Sequence, residues 1–299
     1  MTTHAGFAPV DEPAARAMST DEAIRYHYDN ETDFFALWLD GTLSYSAARW
    51  RPPPGGGPAP DTLAAAQAAK IAFHLDTVAL PPGGALLDIG CGWGAVLKAA
   101  VDRGAGHALG LTLSRDQADH VRARAWPGVE IRLEDVFQFA PGRAFDGAVS
   151  IGAFEHFARP EMDRPAKIAA YRDVFGRCHA ALAPGARLSL QTIVWDDISF
   201  EEAKRWIPET VFPRSDIPFI EEIVAASQGA FRLVYLENGP RDYALTLPAW
   251  IANLRARREE IVARWGREKY DFFERYLRNS RLAFTRRKNS LARFVLERR

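Results

Sequence analysis

Along most of the chain, short runs of hydrophobic residues alternate with longer stretches in which hydrophobic and polar residues are mixed. The apolar runs predict buried strands, and the stretches between them have the spacing of helices that bury one face. Because strands that alternate with helices form parallel sheets with right-handed crossovers, the pattern predicts an α/β fold. The predicted strands are 85–89, 107–113, 129–133, 145–151 and 187–193.

The C-terminal part departs from this alternation. The runs 231–237 and 243–247 predict an antiparallel pair that closes the sheet. From residue 248 onward, the spacing of aromatic and apolar residues predicts helices. The arginines of these helices indicate a solvated face, so we expect no membrane contact there.

The chain divides into three segments of different character. Residues 1–19 lack periodicity, which predicts a loosely ordered tail. Residues 20–60 predict a helical lid that ends in a proline- and glycine-rich loop. Residues 61–299 predict one core domain, with an insertion at about 195–218. Phe34, Phe35 and Trp38 are expected either to pack the lid or to form the wall of the pocket.

Composition narrows the class of protein. The 38 basic and 38 acidic residues give a formal net charge of zero, which argues against a nucleic-acid partner. Cys91 and Cys178 are too few and too far apart for a zinc site or a disulfide framework. No apolar run reaches membrane-spanning length, and no signal-peptide pattern is present, so we expect a cytoplasmic protein. Nothing in the pattern indicates an oligomeric state.

A glycine-rich turn follows the first predicted strand of the core. Gly90, Gly92 and Gly94 come directly after 85–89, and Asp88 stands two positions before the first of them. Glycines allow a tight turn and a close approach to a ligand, and the helix that follows offers free backbone N–H groups. The spacing is not that of dinucleotide-binding proteins. It resembles the first motif of the S-adenosylmethionine (SAM) methyltransferases.

Further motifs make the resemblance more specific. The pair Tyr45-Ser46, the run 110–117 and the string 150–157 (Ser-Ile-Gly-Ala-Phe-Glu-His-Phe) resemble the cyclopropane fatty-acyl-phospholipid synthase and mycolic acid cyclopropane synthase family. This resemblance implies a Rossmann-like class I methyltransferase fold. That fold has a mostly parallel seven-stranded sheet with helices on both faces. The resemblance also implies a helical N-terminal lid, an acceptor-binding cover in the insertion, and SAM as the cofactor.

The resemblance also implies which residues contact the cofactor. Tyr45 and Ser46 would hold the methionine end, and Thr112, Leu113 and Gln117 would lie beside the ribose and adenine. We expect Asp135, after the third strand, to accept a hydrogen bond from the adenine amino group; the alternative is that it only caps the turn 136–139. The full set of candidate cofactor-binding residues is Tyr45, Ser46, Asp88, Gly90, Gly92, Gly94, Thr112, Leu113, Gln117, Asp135 and Ile151.

The fourth predicted strand delivers the candidate catalytic residue. Glu155 follows that strand, where the methyl acceptor of an α/β enzyme meets the cofactor, so we expect it to be the base. Two roles fit His156 equally well: a helper of Glu155, or a structural residue at a helix start. Tyr243 matches a tyrosine of the family and is a further candidate catalytic residue. In the family the glutamate helps to hold a bicarbonate ion. The family's cysteine and histidine at this ion are replaced by Ala47 and Gln191, which weighs against bicarbonate here.

Three reactions fit these residues. We expect C-methylation of a small hydrophobic alkene or enol in a biosynthetic pathway, because the ion's ligands are changed while Glu155 is kept. The alternatives are a cyclopropane synthase that acts on unsaturated lipid acyl chains, and an N-methyltransferase that acts on a small amine. A protein that merely binds the cofactor would have no use for a base at Glu155.

Overall fold

The structure is a computed structural model that describes residues 32–52, 56–205 and 215–299. The predicted tail at 1–19, the first part of the predicted lid at 20–31, and residues 206–214 of the predicted insertion lie outside the described residues.

A seven-stranded sheet forms the centre of the described chain, in the order β3-β2-β1-β4-β5-β7-β6. The pairs β1–β2, β1–β4, β2–β3 and β4–β5 are parallel, whereas β7 runs antiparallel to β5 and β6. The predicted class of fold, an α/β methyltransferase fold with a mostly parallel sheet, is therefore confirmed. The strands are β1 (Ala85–Ile89), β2 (His107–Thr112), β3 (Val129–Leu133), β4 (Phe145–Ile151), β5 (Leu182–Trp195), β6 (Phe231–Asn238) and β7 (Asn289–Arg298).

Helices occupy both faces of this sheet. Leu87 belongs to the apolar cluster under α5, whereas the next residue towards the N-terminus, Leu86, belongs to the cluster under α2 and α3. Successive side chains of a strand point to opposite faces, so the fully buried β1 has a core on each side. The helices are α1 (Thr32–Ala36), α2 (Leu63–Val78), α3 (Ala95–Asp102), α4 (Arg115–Arg124), α5 (Arg164–Ala181), α6 (Phe200–Arg205), α7 (Ile220–Ser227), α8 (Arg241–Ala256), α9 (Arg258–Trp265) and α10 (Arg267–Thr285).

The closing strand pair differs from the prediction. Residues 243–247 lie within α8, and the antiparallel partner of β6 is β7, in a region predicted to be helical. The five-residue run looked like a strand because its helical period shows only over a longer window. Asp242, Thr246, Trp250 and Leu254 are buried four residues apart, which is the spacing of one helix face.

An aromatic cluster joins the lid to the C-terminal helices. Phe34, Phe35 and Trp38 are fully buried and pack with Trp250 of α8 and Phe273 of α10. Phe34 and Phe273 have ring centroids 4.7 Å apart, and Trp38 and Trp250 have theirs 6.0 Å apart. The packing role predicted for the three lid residues is therefore what the structure shows. Within the described ranges, no helix is both long enough and apolar enough to span a bilayer.

Candidate active site

A cavity of about 640 Å³ lies beyond the carboxyl ends of β1, β2, β3 and β4. Ligands of open α/β sheets bind at this edge of the sheet. The lid contributes residues 42–46 to its wall. Of the predicted cofactor-binding residues, all but Gly94 line the cavity.

The glycine turn forms the floor. Gly90 and Gly92 have φ angles of 75° and 54°, in the left-handed region that favours glycine. A Cβ on Gly92 would meet no heavy atom within 4 Å, so that backbone is open to a ligand. Gly94 has a different function, because a Cβ there would lie 2.9 Å from Val121 and 3.0 Å from Trp126. Its missing side chain allows α3 to pack against α4 and the residues that follow it.

The side chain of Asp88 indicates which chemical group of a ligand would bind above the glycine turn. Its side chain is buried and lines the cavity, and its Oδ2 atom has no hydrogen-bond partner among the described residues. Burial raises the pKa of Asp88 to about 7, and the charge of Lys70 opposes that rise. A buried carboxylate oxygen without a partner is costly, so this atom fits a donor supplied by a ligand. The ammonium group of SAM is such a donor, and the glycine turn leaves room for the rest of that cofactor.

Two buried residues of α2 hold the lid against the cavity. Gln67 Nε2 donates to the backbone oxygens of Ser44 and Ser46, at 3.2 and 3.0 Å, and Lys70 Nζ donates to Ser46 Oγ at 3.0 Å. Neither Gln67 nor Lys70 was among the predicted site residues. A sequence signal for them exists, because they stand three residues apart on a helix whose other buried positions are mostly apolar.

The ends of β2 and β3 provide the far wall. Thr112 Oγ1 donates to Gln117 Oε1 at 2.7 Å, which fixes the amide beside the cavity. Asp135 lines the cavity, and its Oδ1 atom accepts the N–H of Phe137 at 2.9 Å. The capping role considered for Asp135 is therefore present, and the side chain still borders the space where a cofactor would lie.

Glu155 lies in a short 3₁₀ turn, Phe154–His156, directly after β4. Its side chain is 8 % exposed, and Oε1 accepts the N–H of Ile193 at 2.7 Å. Oε2 is buried without a hydrogen-bond partner among the described residues. Burial raises the pKa of Glu155, and the bond from Ile193 opposes that rise. The carboxylate is thus a stronger base than an exposed glutamate.

The other two predicted catalytic residues occupy different positions. His156 lines the cavity, and its Nδ1 atom lies 3.1 Å from Ser215 Oγ. Burial lowers the pKa of His156 to about 4, so the ring is neutral near pH 7. Tyr243 is not part of the cavity wall, and its ring stacks on Phe284 with centroids 4.3 Å apart.

Tyr276 of α10 is a further residue near the reacting end that the predictions did not include. Burial raises the pKa of Tyr276 to about 12, a hydrogen bond with Tyr45 opposes the rise, and the charge of Glu155 adds to it. Glu155 itself does not line the cavity, whereas its neighbours Ala153 and His156 do. Tyr276 interacts with both Tyr45 and Glu155, where the lid meets α10. No sequence pattern distinguishes Tyr276, because many aromatic residues of these helices serve packing alone.

The positions of the family's changed anion ligands offer little to an anion. Ala47 has no polar side chain, and Gln191 uses both ends of its carboxamide within the protein. Its Nε2 atom donates to the backbone oxygen of Ala47 at 3.2 Å, and its Oε1 atom accepts from Arg293 at 2.7 Å. These two residues therefore do not fit the bicarbonate that the resemblance implies.

Comparisons with known proteins agree with this geometry. The family described as mycolic acid cyclopropane synthetase matches residues 15–294. Cyclopropane mycolic acid synthase 2 of Mycobacterium leprae (strain TN) is 32 % identical over 309 residues, which cover 96 % of this chain and 97 % of that protein.

Solved structures give the same result. The cyclopropane synthase MmaA2 from Mycobacterium tuberculosis superimposes with a TM-score of 0.81 at 31 % identity, covering 94 % of this chain and 99 % of that one. The mycolic acid cyclopropane synthase CmaA1, solved with SAH and CTAB, has a TM-score of 0.80 at 30 % identity and covers 93 % and 98 % of the two chains. This chain belongs to the mycolic acid cyclopropane synthetase family and is a SAM-dependent methyltransferase.

Proposed function

We propose that this enzyme converts a carbon–carbon double bond of an unsaturated lipid acyl chain into a cyclopropane ring. The observation that carries the proposal is Glu155, a buried carboxylate with one unpartnered oxygen, in a turn that packs directly on the glycine floor of the cavity. The names of the similar proteins, which are cyclopropane synthases of mycolic acids, favour a lipid acyl chain over the small metabolite expected from the sequence.

The chemistry needs alignment and one base. When bound, SAM supplies a methyl group that a sulfonium already activates. Asp88 and Ser46 would orient the methionine end, so that the methyl group faces the wall formed by Ala153 and His156, which flank Glu155 in the turn after β4. As the methyl group moves to one alkene carbon, its bond to sulfur breaks, and the positive charge passes to the neighbouring carbon of the acceptor.

Glu155 then has a defined task. Its carboxylate takes one proton from the added methyl group, and the electron pair of that C–H bond forms the second ring bond. The proton ends on Glu155, and loss of the methyl group would leave the sulfur of the cofactor as a neutral thioether. Holding acceptor and base in one geometry lowers the barrier by removing the entropy cost of their encounter.

Aromatic rings can stabilise the transient cation of the acceptor. Phe137 and Phe157 both line the cavity, with ring centroids 5.8 Å apart in an edge-to-face arrangement. Trp93 and Tyr45 also line it. The faces of aromatic rings attract cations, and they do so without reacting with them.

One labelling experiment tests the proposal. The enzyme is incubated with SAM that carries a trideuterated methyl group and with vesicles of a cis-unsaturated phospholipid, and the fatty acids are analysed by mass spectrometry. A product that keeps two deuterium atoms shows ring closure. A product that keeps three shows a methyl-branched alkene and overturns the ring-forming step. No acyl product, together with methylation of a small enol or amine offered in parallel, overturns the lipid acceptor.

A further inference from the structure

Lys70 places a positive charge at an unusual position. It is a lysine of α2 that is 2 % exposed, and yet it lines the cavity. Its Nζ atom donates to Ser46 Oγ at 3.0 Å, which leaves further N–H groups of the ammonium available. A lysine is rarely buried unless a negative partner accompanies it.

Among the residues that the structure describes, no carboxylate lies within 4 Å of the Lys70 ammonium as an ion-pair partner, although two carboxylates lie close enough to affect it. Asp40 and Asp88 both oppose the lowering that burial and the charge of Arg293 impose on the pKa of Lys70, which is brought to about 7. Asp40 is engaged elsewhere, because it accepts from the backbone N–H groups of Thr42 and Ser44. Asp88 keeps Oδ2 without a hydrogen-bond partner among the described residues.

The cavity therefore carries a buried cation and a buried anion that do not satisfy each other. A zwitterion inserted between them would satisfy both, with its carboxylate on the cation and its ammonium on the anion. The methionine end of SAM is such a zwitterion. Ser46, the lid residue expected at the carboxylate end, is the residue that Lys70 already contacts.

We propose that Lys70 binds the carboxylate of the methionine part of SAM, opposite Asp88, which binds the ammonium group. The inference concerns cofactor binding alone, so it holds whichever acceptor the enzyme uses. Lys70 would also couple cofactor binding to the position of the lid, because one ammonium group contacts both Ser46 and the ligand.

Calorimetry with three ligands tests this assignment. SAM has both charges of the zwitterion, decarboxylated SAM keeps only the ammonium, and 5′-methylthioadenosine has neither. Lys70→Met should weaken the affinity for SAM by about 10- to 100-fold, the range for a lost hydrogen bond to a charged group. It should leave 5′-methylthioadenosine unchanged, and it should not weaken decarboxylated SAM.

Companion variants separate binding from folding. Asp88→Asn should weaken both SAM and decarboxylated SAM and spare 5′-methylthioadenosine, while Lys70→Arg should retain most of the affinity for SAM. Lys98→Met, on the exposed side of α3, is the matched control and should change none of the three affinities.

Two results would overturn the proposal. Equal weakening of all three ligands by Lys70→Met would mean that Lys70 only supports the lid through Ser46. Unchanged binding of SAM would mean that the carboxylate lies elsewhere. Retained binding of 5′-methylthioadenosine shows that a variant has folded, so loss of SAM binding alone cannot come from unfolding.

Discussion

The Nε atom of Arg293 donates a hydrogen bond to Oε1 of Gln191 at 2.7 Å, and both residues are 1 % exposed. The bond fixes the orientation of the carboxamide, so that its Nε2 atom donates to the backbone of Ala47. Gln191, at a position where the resemblance implies an anion ligand, therefore links β5, β7 and the lid. In the proposed mechanism, the base is therefore Glu155 and not a bound anion.

Turnover should therefore not depend on bicarbonate. Initial rates measured in buffer freed of carbon dioxide should equal those measured with added bicarbonate. The double variant Ala47→Cys/Gln191→His carries the family's residues at both positions and serves as the comparison. A wild-type rate that rises with bicarbonate would show that an anion binds despite the engaged carboxamide.

Replacing Glu155 should slow the chemical step and leave the affinity for the cofactor unchanged. Glu155→Gln keeps the shape of the side chain and cannot take a proton, so kcat should fall by about 10²- to 10⁴-fold, the usual worth of a general base. Affinity for SAM, measured by calorimetry, should stay the same. Glu259→Gln, on an exposed position of α9, is the control and should keep the full rate. Full turnover by Glu155→Gln would remove Glu155 from the mechanism.

The pH dependence of the rate should show the raised pKa of Glu155. The rate needs the carboxylate form, so it should decline as the pH falls through an apparent pKa above the ordinary value of 4.5. His156, with its pKa lowered to about 4, is already neutral in that range. In profiles of kcat against pH, His156→Gln should therefore keep the wild-type apparent pKa. Loss of the acidic limb in that variant would assign it to His156.

The sequence predicted the architecture well because the core strands are short, apolar and bounded by turns. The glycine turn and the string around Glu155 were recognisable, since ligand approach and catalysis restrict which residues can stand there. The prediction of a strand at Tyr243–Leu247 was wrong because a five-residue apolar run fits either a strand or a helix. Lys70 could not be assigned, because its role depends on Asp88, eighteen residues further along, and on Ser46 of the lid, which only the tertiary fold brings near it.

Gly90 should tolerate no side chain. Its φ of 75° disfavours other residues, and a Cβ would lie 2.6 Å from Cβ of Ala153, two residues before Glu155. Gly90→Ala should lower the free energy of unfolding by about 1–3 kcal/mol and weaken SAM. Gly142→Ala has no positive φ and meets no atom within 4 Å, so it should be neutral. Denaturant titration and calorimetry would measure both effects, and equal stability of the two variants would contradict the argument.

The buried charges around Arg293 lead to a further prediction, about stability. Arg293 donates to Glu237 at 2.7 Å and to Asp242 at 2.6 Å, in addition to Gln191. Burial opposes ionisation of Glu237, but hydrogen bonds from Tyr235 and Arg49, with the charge of Arg293, lower its pKa to about 2. Because the folded pKa is below the unfolded value, the contribution of Glu237 is complete above about pH 4.3 and is lost as the pH falls towards 2.

Arg293→Met should lower the free energy of unfolding at pH 7 by about 3–5 kcal/mol, because it leaves buried carboxylates without their cation. Part of that difference should disappear at low pH, where protonation makes Glu237 less costly to bury without its cation. Arg232→Met is the matched control, since Arg232 is exposed and pairs with Glu297 at 2.6 Å, and it should cost at most about 1 kcal/mol. Urea titrations of both variants at neutral and acidic pH make the comparison. A loss for Arg293→Met no larger than the control's would mean that Arg49 alone neutralises this cluster, and that Gln191 does not need Arg293 to hold its orientation.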